Sequence, residues 1–280
     1  MVILNDARTQ NLLSYKYYIR PTSHQLYGNS NPTLKHHQNV QTVLKMLALE
    51  GTMTTWDMAK HYFANNPQQI RSREKEFRRL LIGRTDRGRH SKGILDLNLV
   101  LVNDISTKRN PGNKYRLSLF GILFCLDVLD LSHNQIDKMA KNYNAILPLV
   151  FGKWDFLKSI IGKNVYNISL LGKGLLFDNL HVVAINNPQF YELISYFNIK
   201  SNQLSQSLNE EKIGELISLW FYITMLYFPT LVSINQKPLF YLKKILKKDK
   251  KLQQWFSNYV DEAKKYYLER NKILEKLSIV

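Results

Sequence analysis

The spacing of apolar residues between positions 38 and 131 most strongly constrains the fold. Three segments have the i, i+3, i+4 spacing of a helix face, and the first of them ends at Gly51. The second opens on Thr54-Thr55-Trp56-Asp57, which resembles a capping box with Asp in place of the usual Glu. The third begins at Pro67, where a missing N–H costs nothing, and ends near Ile82 before Gly83. The sequence therefore predicts three consecutive helices.

A strand-like region follows the three helices. Leucines alternate with polar or valine residues from Leu95 to Val102, which is the period of two typical of a strand. Pro111-Gly112 is a strong turn signal, and a second predicted strand carries Tyr115 and Leu117 on one side. Arg84–Lys92, between the third helix and the first strand, is predicted to be a loop. A very apolar helix is expected from Ser118 to Leu131.

Positive charge is concentrated in two parts of the chain. The 280 residues hold 39 Lys+Arg against 22 Asp+Glu, a net charge of +17. Residues 60–116 have a net charge of +9 and residues 237–280 a net charge of +7, whereas residues 117–236 have a net charge of −1. Two separate basic regions of this size indicate surfaces that bind a polyanion, either nucleic acid or an anionic membrane.

Other features narrow the functional class. Cys125 is the only cysteine, so no internal disulfide can form and a reducing cytosol fits best. The first twenty residues lack the apolar run of a signal peptide. The seven histidines show no metal-ligand spacing, and Gly172-Lys173-Gly174 lacks the rest of a phosphate-binding loop. The sequence predicts a cytoplasmic protein without enzymatic activity, cofactor or metal.

The order of three helices, strand, basic turn and strand resembles the winged helix-turn-helix superfamily, in particular its archaeal-type regulators. The resemblance rests on Thr54–Ala59 as the positioning helix, Pro67–Ile82 as the recognition helix, and Tyr115–Gly121 as the closing segment. It implies that the third helix enters the major groove of DNA and that the hairpin, or wing, contacts the backbone. The long Arg84–Lys92 segment between the third helix and the first strand departs from the family pattern.

Helical geometry divides the third helix into two faces. At 100° per residue, Ile70, Glu74, Phe77 and Leu81 form one narrow sector that we expect to pack inward, with Glu74 reaching solvent through a pair with Arg78. The opposite side carries amides, a hydroxyl and cations, the groups that read base edges. The predicted base-contacting residues are Gln68, Gln69, Arg71, Ser72 and Lys75.

Further basic residues are predicted to contact the DNA backbone, either at phosphates or, on the wing, in the minor groove. A mobile charged loop is the alternative interpretation of those outside the helix. This set consists of Arg78, Arg79, Arg84, Arg87, Arg89, Lys92, Lys108, Arg109 and Lys114, with His90 beside them.

The fold class predicted is mainly α with a small β-hairpin, in four regions. An arm at residues 1–36 precedes a DNA-binding domain at 37–131, a helical domain for sensing or oligomerisation at 132–236, and basic amphipathic helices at 237–280. The last helix either forms a dimer or packs on its own core, and its lysines either bind phosphate or lipid or are simply solvated. Ile217–Ile234 has no charge and is either a core helix or, less favoured, a membrane span.

The leading hypothesis is a transcriptional regulator that binds a specific double-stranded DNA sequence. A homodimer is a further expectation, because two half-sites raise specificity. The alternatives are a replication-initiation or mobile-element protein that binds an origin, and a membrane-tethered regulator. Basic charge alone does not distinguish DNA from RNA.

Overall fold

A computed structural model describes residues 34–62, 66–86, 89–104, 112–169, 210–224 and 240–277. Four parts of the chain with sequence predictions lie outside the described residues: the arm up to residue 33, Arg87, the wing-tip residues Lys108 and Arg109, and residues 225–234. The side chains of residues 84–92 are also outside the described set. The described part is mainly helical with a small three-stranded antiparallel sheet. The helices are α1 (Leu34–Glu50), α2 (Thr55–Tyr62), α3 (Pro67–Ile82), α4 (Leu119–Val128), α5 (His133–Asn142), α6 (Trp154–Ile161), α7 (Glu210–Thr224), α8 (Phe240–Lys248) and α9 (Lys250–Leu277). The strands are β1 (Met53–Thr54), β2 (Gly83–Asp86), β3 (Arg89–Lys92), β4 (Val100–Asp104) and β5 (Lys114–Leu117).

The second and third helices begin where the sequence signals predict, whereas α1 begins at Leu34, inside the predicted arm and before residue 38. The backbone N–H of Asp57 donates to Thr54 Oγ1 over 3.1 Å, and the Thr54 N–H donates back to Asp57 Oδ2 over 3.2 Å, which confirms the capping box of α2. Asn66 caps α3 by accepting a hydrogen bond from the N–H of Gln69, and Pro67 is the first helical residue. Gly83 ends α3 with φ +86°, a conformation that glycine adopts without strain.

The strands form two small sheets, and one of them lies in a segment predicted as a loop. β1 and β4 both pair antiparallel with β5, in the order β1-β5-β4. The segment predicted as a loop, Arg84–Lys92, instead forms the β2–β3 hairpin, with Gly83 opposite Lys92 and Asp86 opposite Arg89. β1 has only two residues, too few for a periodic signal.

The predicted strand at Leu95–Val102 is wrong in its first half, because β4 begins only at Val100. The chain after the hairpin folds back on the end of α3: the N–H groups of Ile94 and Leu95 donate to the carbonyls of Leu80 and Leu81, each over 3.0 Å. This turn buries Leu97 and Leu99 without forming a strand ladder. The alternation of leucines in the sequence therefore reflects burial in a turn and not a strand.

One apolar core runs through the described residues. Its buried members extend from Val40 in α1 to Phe256 in α9, and α5 packs directly on α1. This core contains residues from both sides of the predicted boundary at residue 131, whereas the predicted boundary at residue 236 lies outside the described residues. One helix end differs from prediction, because α4 stops at Val128 rather than at Leu131.

The described portion of the uncharged stretch lies in α7, where Ile217, Trp220 and Ile223 are buried in the core. No described helix combines the length and the apolar character needed to cross a membrane. Within α9, Leu252 and Phe256 are buried in this core, so the first turns of the last helix pack on the chain itself.

Candidate nucleic-acid interface

The inner face of α3 packs as its periodicity predicts. Ile70, Phe77 and Leu81 are buried, and Leu80 joins them. α3 lies against α2 and contacts α1 as well. Because one side of the helix is fixed in this way, the opposite side has a defined orientation rather than that of a freely rotating segment.

The outer face of α3 is exposed along its length. All five predicted base-contacting residues are exposed: Gln68, Gln69, Arg71, Ser72 and Lys75. Arg78 and Arg79, predicted to contact the backbone, are exposed on the next turn. The described residues therefore leave the cationic side of α3 uncovered.

Arg73 is the arginine of α3 that turns inward, and sequence reasoning did not assign it a role. Its side chain is only 15% exposed, its Nη1 donates to Glu76 Oε2 over 2.5 Å, and its Nη2 donates to Asn39 Oδ1 over 2.7 Å. Asn39 Nδ2 in turn donates to Glu76 Oε1 over 2.5 Å, and the guanidinium lies 4.8 Å from the centre of the Phe77 ring. This closed triangle of hydrogen bonds fixes α3 on α1. The i, i+3 spacing of Arg73 and Glu76 was the one local signal for it.

Glu74 has a different partner from the one predicted. Thr55 Oγ1, at the first residue of α2, donates to Glu74 Oε1 over 2.8 Å. A carboxylate at a helix N-terminus is favoured by the helix dipole, which explains why Glu74 turns toward α2 rather than toward Arg78. Glu74 and Glu76 are the only acidic residues in the sequence of α3, and both carboxylates are engaged by α1, α2 or Arg73. The exposed face is left with four cations that no acidic residue of the same helix offsets.

The β2–β3 hairpin continues from the C-terminal end of α3. Its first strand begins at Gly83, directly after the helix, and places Arg84 opposite Ser91. A Cβ at Gly93 would lie 2.3 Å from the Leu81 carbonyl oxygen and 2.4 Å from the Gly83 nitrogen, so only glycine fits where the chain returns to the helix end. Three of the predicted backbone-contacting residues, Arg84, Arg89 and Lys92, thus belong to a hairpin joined to α3.

In the second hairpin, β4–β5, the described residues include one predicted backbone-contacting residue, Lys114. Lys114 is exposed and lies opposite Asp104 in β4 and Thr54 in β1. Arg116, two residues later, is occupied: its Nη2 pairs with Glu210 Oε2 at 2.9 Å, and its Nε donates to Asn103 Oδ1 over 3.1 Å. Glu210 also accepts a hydrogen bond from the N–H of Leu119 at the start of α4, so α7 is joined to the base of this hairpin.

Scans of family models, curated proteins and solved structures returned no match to this chain. The functional argument therefore rests on the chain's own geometry.

Cys125 is buried in α4, as its apolar surroundings predict. Burial strongly raises the pKa of its thiol, because the charged thiolate would lose its hydration there. The side chain thus behaves as a small apolar group of the core.

A second cluster of polar side chains, centred on Asp137, lies away from α3 and stabilises the packing of neighbouring helices. Asp137 of α5 accepts hydrogen bonds from Trp154 Nε1 and Lys158 Nζ, both over 2.7 Å, and from the Tyr166 hydroxyl over 3.1 Å. The His133 ring stacks on Tyr166 at 3.9 Å between centroids. Burial alone would raise the pKa of Asp137, but these donors outweigh it, and the pKa is lower than the ordinary value. The cluster joins α5 to α6 and the 3₁₀ turn that follows.

Proposed function

We propose that residues 37–131 form a winged helix-turn-helix unit that binds a specific double-stranded DNA sequence, and that the chain is a cytoplasmic transcriptional regulator. Three packed helices followed by an antiparallel hairpin are the arrangement that this resemblance implies. Helices α1–α3 and the β4–β5 hairpin support it, and the β2–β3 hairpin between them is additional to that arrangement. β1, between α1 and α2, adds a third strand to the hairpin and ties it to the helices.

The observation that carries the proposal is the distribution of charge on α3. Its exposed side has Arg71, Lys75, Arg78 and Arg79, whereas Glu74 and Glu76 are held by partners on the bundle. Arg and Lys suit guanine, and the nearby Gln68 and Gln69 suit adenine. An exposed helix face that combines these groups is chemically fitted to the floor of the major groove.

The dimensions of α3 support the same function. A helix with its side chains is about 10–12 Å across, and the major groove is about 12 Å wide. From Gln68 to Arg79 the exposed side rises about 16 Å at 1.5 Å per residue, which corresponds to roughly five base pairs at 3.4 Å each. Contacts near the helix N-terminus read bases in this geometry, and Arg79 and the β2–β3 hairpin lie further along, beside phosphates.

Selection from random duplex DNA at near-physiological salt tests the proposal. The full chain is expected to enrich a short motif, and Lys75→Ala is expected to change or weaken that motif. Lys138→Ala on α5 is the matched control, because Lys138 is also an exposed lysine and lies away from α3. Recovery of no motif, or equal effects of the two substitutions, would refute base reading by α3.

Footprints on genomic fragments then separate regulation of transcription from binding to a replication origin. Sites upstream of genes support a regulator, and sites confined to an origin support the replication or mobile-element alternative. Motifs made of two inverted half-sites would support a homodimer, since protein two-fold symmetry is mirrored in the operator.

A further inference from the structure

A second exposed cationic surface lies at the junction of α8 and α9. We name it the lysine face, and it consists of Lys243, Lys244, Lys247, Lys248, Lys250 and Lys251. All six side chains are exposed. At 100° per residue the four lysines of α8 fall on the side opposite Leu242 and Ile245, which are buried in the core. Packing of the apolar side thus fixes the lysines outward.

The acidic residue within this surface does not offset its charge. Asp249 is the one acidic residue in the sequence between Phe240 and Val260. Its Oδ2 lies 2.5 Å from Lys153 Nζ, and its Oδ1 accepts a hydrogen bond from the N–H of Leu252 over 3.0 Å. Asp249 is therefore neutralised by a cation from outside the lysine face and serves as the cap of α9.

The positive charges of the six lysines repel one another, and those of Lys250 and Lys251 are also repelled by the dipole of α9. Lys243 and Lys247, and likewise Lys244 and Lys248, stand at i, i+4, where like charges are destabilising. Lys250 and Lys251 occupy the first turn of α9, which has no acidic residue, at the end of the helix where the dipole is positive. A chain of anions bound across the junction would relieve both repulsions.

The packing of α8 favours a nucleic-acid backbone over a lipid surface. A basic helix binds a membrane by inserting its apolar side between headgroups. Here that side is occupied, because α8 packs on α6 and α9 and Ile245 is fully buried. Phosphates in a row require only exposed cations, which the lysine face supplies.

The lysine face is also distinct from α3. The main packing contacts of α3 are with α2 and α1, whereas α8 contacts α6 and α9, and α5 and α6 connect the two regions. We infer that the lysine face is a second nucleic-acid surface, which binds the phosphate backbone of duplex DNA without reading its sequence. The choice of DNA as the ligand rests on the proposed function of α3, whereas the existence of the cationic surface is independent of that function.

The test uses the full chain with Lys243, Lys244, Lys247 and Lys248 all changed to Gln, which keeps helix propensity while removing four charges. Binding to a random-sequence duplex is measured by fluorescence anisotropy across a salt series. Each lost phosphate contact is expected to reduce the slope of log Kobs against log salt by about 0.9, so the total reduction approaches roughly 3.6. Circular dichroism melting verifies that the variant is folded.

The control carries the same four-charge change at exposed lysines elsewhere: Lys138, Lys141, Lys264 and Lys265. Its slope is expected to stay near that of the unmodified chain. Equal slopes for the two variants would overturn the inference, as would anionic phosphatidylserine vesicles that bind through the lysine face more tightly than the duplex does at the same salt.

A third variant, with Arg71, Lys75 and Arg79 changed to Ala, separates this inference from the function proposed for α3. Preference for the selected motif is expected to disappear in this variant and to survive loss of the lysine face. A motif preference that survives loss of the α3 cations refutes base reading by α3, while the slope measured for the lysine variant still decides the second surface.

Discussion

Arg71 and Arg73 are two residues apart on α3, and the structure gives their side chains opposite environments. Arg71 is exposed on the outer face, whereas the Arg73 side chain is 15% exposed and bonded to Glu76 and Asn39. We therefore predict that Arg71→Ala weakens DNA binding without affecting folding. Arg73→Ala should destabilise the fold while leaving the binding of the folded fraction nearly unchanged.

The magnitudes follow from the contacts of each side chain. Arg73 makes two charge-assisted hydrogen bonds, worth about 1.5–3 kcal/mol each, but half-exposed Glu76 regains water when they are lost. We expect a net loss of about 2–3 kcal/mol from the free energy of unfolding, or roughly 5–10 °C in Tm for a chain of this size. Arg71→Ala should change stability by less than about 0.5 kcal/mol, as for most surface residues.

For binding, Arg71→Ala should cost about 1–3 kcal/mol on the preferred duplex, which is roughly a 5- to 150-fold increase in Kd. Urea denaturation measures stability, and anisotropy with preferred and scrambled duplexes measures binding below the unfolding range of each variant. The reasoning fails if Arg73→Ala weakens binding as much as Arg71→Ala at unchanged stability. It also fails if Arg71→Ala weakens binding equally on both duplexes.

Three further predictions concern the hairpins and the α5–α6 junction. Lys108→Ala with Arg109→Ala, at the predicted wing tip, should weaken binding similarly on all sequences and reduce the salt slope by about 1.8; an unchanged slope would exclude phosphate contact there. Asp137→Asn should destabilise the chain at neutral pH, because the native contacts of Asp137 lower its pKa and favour the charged form. That stabilisation is present above the ordinary pKa near 4 and is lost as pH falls through the lower native value. The denaturation midpoints of the two proteins should therefore converge in acid. A difference between the midpoints that stays constant with pH would contradict stabilisation by the charged carboxylate. Gly93→Ala should lower the thermal midpoint sharply, since its Cβ would lie 2.3 Å from a carbonyl oxygen of α3, whereas Gly112→Ala, where a Cβ meets nothing within 4 Å, should have little effect.

Local signals in the sequence predict most of the helical framework. The capping box at Thr54, Pro67 at the first position of α3 and the apolar spacing of α1–α3 depend on neighbours within four positions. They define these elements apart from the earlier start of α1 at Leu34. The capping box at the start of α5 is equally local, because Ser132 and Gln135 bond reciprocally. The exposed face of α3 follows directly from this periodicity.

Features set by distant partners could not be predicted. β1 exists because Met53 pairs with Tyr115, sixty-two positions later, and not because of any pattern in its two residues. The β2–β3 hairpin lacks alternating apolar residues, so its charged sequence looked like a loop. The roles of Arg73 and Glu74 depend on Asn39 and Thr55, which lie on other helices.

Site-specific cross-linking tests most directly whether the outer face of α3 enters a DNA groove. Because Cys125 is buried with a raised thiol pKa, a cysteine introduced by Ser72→Cys can be labelled selectively with a photoactivated cross-linker. Asn134→Cys on α5 supplies a control at another exposed helical position. We predict cross-links from position 72 to bases within the selected motif and none from position 134; a complex that protects the motif yet cross-links from position 134 and not from position 72 would contradict the proposal.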